Sequence, residues 1–216
     1  MDLRTNTILK ASTKDRPPAP LFVQKTEKQV MIDALKVSHA ARQLERLPEP
    51  GEVYHVIMNG NYDGFDIVNG ILRLHHPAVI ERLDICTLGF NKRNTAELIG
   101  LMDSGQIKKL TFVCSVYFKA HEPETFNLLL AQLKDRHFPM IATRSHCKIL
   151  LFEMSSGQFY AVESSANLRS CKMLEQFTLT HSRAVVEFHR GWLTDLIEKN
   201  EFAHEGEKCL RKSRTK

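Results

Sequence analysis

The sequence has no apolar run approaching the ~20 residues that a membrane span requires. Its first residues, Met-Asp-Leu-Arg-Thr-Asn, lack the basic-then-apolar layout of a secretory signal, so a cytoplasmic protein is expected. Five cysteines (Cys86, Cys114, Cys147, Cys171, Cys209) are an odd number and include no C-x-x-C pair. Cys86, Cys114 and Cys147 lie in apolar strand-like runs and read as buried free thiols, not as a disulfide frame or a zinc site. The ten histidines form no H-x3-H or H-E-x-x-H array, so no metal site is expected. There is no internal repeat and no membrane-binding amphipathic helix.

What remains is a mildly basic chain of 216 residues, 43% hydrophobic, with net charge +5 and a pI near 9.0. That length suits one domain with an arm or tail, and the charge favours an anionic partner. Residues 1–24, with Lys14-Asp15-Arg16 and Pro17-Pro18-Ala19-Pro20, read as a disordered arm. From Thr26, Val30, Met31, Ala34, Leu35, Val37, Ala41 and Leu44 recur at near-helical spacing up to Pro48, so residues 25–48 are expected to be a helix and linker. Residues 201–216 end in a basic tail of Lys208, Arg211, Lys212, Arg214 and Lys216.

Between them, strands and helices alternate. Strands are expected at 53–58, 83–88 and 109–114, with helices at 65–74, from Asn94 to Ser104, and at 122–136. Asn94 and Glu97 have capping-box spacing. A strand from His146 to Glu153, the turn Ser155-Ser156-Gly157 and a return strand at 158–163 form a hairpin. A strand at 176–179 and a helix at 182–199 follow, the helix with Val185, Phe188, Trp192, Leu193 and Leu196 inward. The order predicts an α/β sandwich with a mixed sheet flanked by helices.

Alternation along the strand points His146 and Lys148 the same way, and the hairpin returns Ser164, Ser165 and Asn167 towards them. An imidazole, an ammonium, two hydroxyls and a carboxamide are thereby gathered. Ligands in open α/β sheets collect beyond the carboxyl ends of the strands, which adds Lys92, Arg93 and Ser115 as candidate substrate contacts, with Arg144 just before the cluster. A sheet surface with no chemistry carries such residues too.

The cluster resembles the phospholipase D-like superfamily, whose signature is H-x-K-x4-D followed by a G-S-x-N turn. His146, Lys148, Ser165 and Asn167 match, while Glu153 stands at the Asp position and Ser164 at the first Gly. Glu175 sits where single-motif nucleases of the superfamily carry a Glu. The resemblance spans about residues 50–200. It implies catalysis by a covalent phosphohistidine on His146, with Lys148 and Asn167 donating to the phosphoryl oxygens and the carboxylate orienting the imidazole. No metal or other cofactor is implied. The chain has one H-x-K; His181-Ser182-Arg183 lacks a following turn. Single-copy members pair two chains, which implies a homodimer. The expected function is therefore a metal-independent phosphodiesterase, a nuclease acting on DNA more than RNA. The alternative is a degenerate module that binds nucleic acid or a protein partner.

Overall fold

The computed structural model describes residues 28–35, 44, 46–59, 63–75, 77–169 and 173–213. Strands β1 (Lys28–Leu35), β2 (Glu52–Asn59), β3 (Ile80–Thr87), β4 (Leu110–Ser115), β5 (Met140–Thr143), β6 (Ile149–Met154), β7 (Phe159–Ser164) and β8 (Leu174–His181) share one sheet, in the order β1-β2-β8-β7-β6-β3-β4-β5. The β3, β4 and β5 strands run parallel, and β2, β8, β7, β6 and β3 are successively antiparallel. The helices are α1 (Asp66–Leu74), α2 (Lys92–Asp103), α3 (Val116–His121), α4 (Pro123–Asp135) and α5 (Arg183–Ser213).

Period-two alternation decides what each face of the sheet meets. On β6, Leu150, Phe152 and Met154 join the larger core, with Phe65 and Ile67 from the α1 region, Leu98 of α2 and Leu129 of α4. Ile149 and Leu151 face the other way and pack with Val113, Ala161, Val186 and Leu193 beneath α5. Every residue of β4, and β3 from Leu83 onwards, is buried, as expected of parallel strands covered on both faces. The predicted α/β sandwich with a mixed sheet is the fold observed.

Several expectations need correcting. Lys28–Leu35 is a strand and not part of a helix; its backbone pairs in parallel with β2, from Lys28 opposite Glu52 to Leu35 opposite Met58. Val30 and Ile32 are β-branched and two apart, so strand alternation was present beneath the helical count. Residues 36–43 of that expected helix, and the arm 1–24, lie outside the described residues. The helix expected at 122–136 is α4, opened by Pro123, and the short helix α3 precedes it where a loop segment after β4 was expected. Helix α2 is capped by Asn91, whose side chain and that of Asn94 each bond the other's backbone N–H; Glu97 instead pairs with Arg93. The last helix runs on to Ser213 and takes in Lys208, Arg211 and Lys212 of the basic tail. Of its expected inward stripe, Leu193 is buried but Phe188 is 42% exposed; Val186 and His189 face inward instead.

Candidate active site at the carboxyl edge of the sheet

Antiparallel pairing of β6 with β3 puts the start of β6 at the carboxyl end of the parallel strands. The ends of β2 and β7, the start of β8 and the segments following β3, β4 and β5 reach the same edge. His146 and Lys148 lie just before β6, in the run 144–148, and not within the strand. Their side chains nonetheless meet: Lys148 Nζ stands 2.8 Å from His146 Nδ1 and 3.0 Å from the His146 carbonyl. An ammonium can only donate, so Nδ1 is the acceptor and a neutral His146 ring carries its hydrogen on Nε2. Lys148 is held below the ordinary lysine range, first by burial, with the nearby Glu175 carboxylate opposing the shift.

The turn after β7 is fixed from several sides. Ser164 N–H donates to the Lys148 carbonyl at 3.0 Å, which ties the turn to the His146 segment. Ser164 Oγ donates to the Gln176 carbonyl and accepts from Ala166 N–H. Ser165 Oγ donates to Glu175 Oε2 and accepts from Gln176 N–H. Further on, Leu168 N–H donates to Thr87 Oγ1 and its carbonyl accepts from Phe65 N–H. Gly64 is required here, since a Cβ would lie 2.3 Å from the Asn167 carbonyl oxygen. Lys148, Thr87, Ser164 and Ala166 line a narrow cleft beside this turn. Lys148, Ser164, Ser165 and Glu175 are thus brought together with His146, and Asn167 occupies the same turn, with its Oδ1 buried and unpartnered.

Glu153 is not in this group. It lies five residues from Lys148, roughly 16 Å along an extended chain and on the opposite face of the sheet. There Arg190 of α5 binds it through Nη1 at 2.8 Å. The Glu153 carboxylate therefore cannot orient the His146 imidazole; it anchors a helix. The odd spacing between 148 and 153 already carried that information.

The candidate substrate contacts are dispersed. Lys92 and Arg93 open α2 and are exposed, Lys92 against Glu124 at 3.5 Å and Arg93 against Glu97 at 2.7 Å and Asp66 at 3.5 Å. Ser115 is buried and caps α3, its hydroxyl accepting from Tyr117 N–H at 3.1 Å. Arg144 is exposed on the His146 segment. Cys147, expected to be buried, is exposed beside His146; burial pushes the thiols of Cys86 and Cys114 up to about 11 and about 12. Among the described residues no group of three or more His, Cys, Asp or Glu could hold a metal ion. Among the described residues no helix is long and apolar enough to cross a membrane.

One buried group at this edge had no sequence signal strong enough to single it out. Asp63, next to Gly64, is 3% exposed and accepts from Asn94 Nδ2 at 2.8 Å, while its Oδ2 has no hydrogen-bond partner. Burial raises the Asp63 carboxyl, and burial followed by the Asp63 charge raises Asp66 to about 6.

No protein-family model matches the sequence, and no curated protein sequence matches it. Solved structures do. Polyphosphate kinase from Porphyromonas gingivalis aligns with a TM-score of 0.51 at 14% identity, over 74% of this chain and 31% of that one. NucT from Helicobacter pylori aligns at 0.47 and 14% identity, over 68% of this chain and 97% of its own. Nuc from Salmonella typhimurium, described as a phospholipase D family member, aligns at 0.44 and 11% identity, over 67% and 93%. The observed α/β sandwich with a mixed sheet is consistent with a phospholipase D-like fold. At these identities the likeness is one of fold, and what the site does rests on its own residues.

Proposed function

We propose that the protein is a metal-independent phosphodiesterase, a nuclease acting on DNA, which works through a phosphohistidine on His146 in a homodimer. The observation that carries this reading is the direct contact of His146 with Lys148, at the sheet edge that also holds the Ser165–Glu175 pair. A phosphodiester oxygen competes with Nδ1 for the Lys148 ammonium. Once the ammonium moves to the phosphate, the imidazole is released from that contact and has one unprotonated nitrogen with which to attack. A nitrogen–phosphorus bond forms as the phosphorus–oxygen bond to the leaving group breaks, and negative charge builds on oxygens facing Lys148. The leaving alkoxide takes a proton from a second imidazole. Water, deprotonated by that same imidazole, then cleaves the phosphohistidine. Basic net charge favours nucleic acid over lipid as substrate.

The test is hydrolysis of labelled DNA and RNA in excess EDTA, with wild type beside His146→Ala. Cleavage by wild type alone, DNA faster than RNA, is expected. Retention of both polymers without cleavage by either protein would indicate a binding module instead.

A further inference from the structure

Tyr117 stands 58% exposed at the edge that carries His146, on a helix that is firmly seated. Helix α3 leaves β4 directly, and the Tyr117 N–H donates to Ser115 Oγ at 3.1 Å. Phe118, 2% exposed, packs on the Phe90 ring at 4.5 Å between centroids. Gly89 lets the helix sit this close, since a Cβ there would come within 2.9 Å of the Phe118 ring. With Phe118 turned inward, Tyr117 and His121, four residues apart, share an outer face. Their rings stack at 3.9 Å between centroids and 26° between planes. A carbonyl oxygen can only accept, so His121 Nδ1 carries a hydrogen and donates to the Tyr117 carbonyl at 2.8 Å, which fixes the imidazole against the phenol ring. His121 follows Tyr117 in the helix and so covers the ring face turned towards the helix's carboxyl end. The other face looks back towards the end of β4.

That is where the His146 segment runs. In the strand order β6-β3-β4-β5 the chain must pass the ends of β4 and β3 to get from β5 to β6, and residues 144–148 make that crossing. The β6 strand itself lies two steps from β4, about 10 Å away. The turn carrying Asn167 reaches the same place from the other side, since Arg169 Nη1 donates at 3.4 Å to Glu122, the residue that follows α3. Four cations share this edge: Lys92, Lys119, Arg144 and Arg169. The carboxylates among them, Glu124 and Glu122, face Lys92 and Arg169 in exposed pairs at 3.5 and 3.4 Å, which a phosphate can displace at small cost. An open aromatic face among cations, beside a phosphodiester site, fits a nucleobase and its flanking phosphates. A base within a duplex has both faces covered by its neighbours, so only an unpaired strand can offer one. We propose that Tyr117 is a stacking platform for a base of a single-stranded nucleic acid close to the scissile phosphate, with Lys119 and Arg169 taking neighbouring phosphates. The proposal rests on the nuclease reading above and adds to it the strandedness of the substrate and the residue that selects it.

Affinity is measured by fluorescence anisotropy with a labelled single-stranded DNA and a hairpin duplex of the same composition. The full-length protein with tyrosine at 117 is compared with Tyr117→Phe and Tyr117→Leu, each also carrying His146→Ala so that the strands stay whole, and each checked for an unchanged melting curve. Tyr117→Leu keeps an apolar side chain and removes the ring; it should weaken single-strand binding about tenfold and leave the hairpin affinity alone. Tyr117→Phe should bind as the tyrosine protein does. Replacing the bases one at a time by abasic sites should find a position where the strand loses the same factor and Tyr117→Leu then costs nothing more. Equal losses on strand and hairpin, or a leucine protein that binds as the phenylalanine protein does, overturn the platform. With His146 in place, cleavage indifferent to Tyr117→Leu removes the platform and leaves the nuclease reading standing. Retention that depends on Tyr117, without cleavage, keeps the platform and removes the nuclease. A change of mass in light scattering on Tyr117→Leu, with DNA affinity unaltered, would make the surface a protein contact and overturn the proposal.

Discussion

Lys148 has two competing partners in the proposed reaction, the His146 ring at rest and the phosphate during catalysis. Partial burial is also what lowers the pKa of that ammonium. Lys148→Met keeps length and removes charge. A loss on the order of 3 kcal/mol in transition-state stabilisation is expected, seen as a fall of about 100-fold in kcat. A rise in KM with kcat unchanged would mean that Lys148 binds the ground state only. The pH profile offers a second readout. A lysine with a lowered pKa is fully charged below that pKa and loses its charge as pH rises through it. The wild-type rate should therefore fall on the alkaline side before the ordinary lysine value of about 10.4. A Lys148→Arg protein that retains activity should lack that limb, since a guanidinium stays charged. A limb at the same pH in both proteins would assign it to another group.

At the scale of elements, the pairing of β6 with α5 explains why a carboxylate is needed at position 153. Asp84 on β3 is fully buried and accepts from Arg82 Nε and Arg190 Nε, both at 2.9 Å, while Arg190 Nη1 reaches Glu153. One arginine of α5 thus ties two strands from above. Arg190→Ala leaves Asp84 buried with one partner fewer and should cost about 3–5 kcal/mol in unfolding free energy. Glu153→Ala, at a half-exposed end of the same pair, should cost less and leave kcat unchanged. Loss of kcat without loss of stability in Glu153→Ala would return position 153 to the chemistry. Most of this layer was legible in the sequence. Periodicity located β2 to β4, the β6–β7 hairpin and α1 within a few residues, because each carries a long apolar signal. It failed at Lys28–Leu35, where Val30, Met31, Ala34 and Leu35 fit helical spacing while Val30, Ile32 and Ala34 fit strand spacing, and only pairing with the β2 edge decides. The site was legible where neighbours in sequence are neighbours in space, as with His146 and Lys148 or Ser165 and the Glu175 that follows. Asp63, Arg190 and Thr87 were not, since their roles depend on partners 31, 106 and 81 residues away.

For the whole molecule, proton counting supports the proposed pairing of two chains. Expelling an alkoxide near neutrality requires an acid on the far side of phosphorus, and a nucleophilic His146 cannot supply it. The only other H-x-R/K-like triplet, His181-Ser182-Arg183, stands at the opposite edge of the sheet, where His181 Nδ1 lies 2.9 Å from the Pro48 carbonyl. A second His146 is therefore the proposed source, and in the proposed dimer one site would serve two chains related by a two-fold axis. Mixing then gives a quantitative expectation. With wild-type and His146→Ala chains exchanged at equal amounts, about half of the dimers are mixed, and each has lost either its nucleophile or its acid. If such dimers are inactive, the activity per wild-type chain falls to about half, and a ninefold excess of His146→Ala lowers it to about one tenth. If each chain worked alone, activity per wild-type chain would stay constant at every ratio. A flat titration, measured after exchange has been verified with a mass-tagged chain, would leave the protein with one imidazole per site and remove the phosphohistidine mechanism in its two-histidine form.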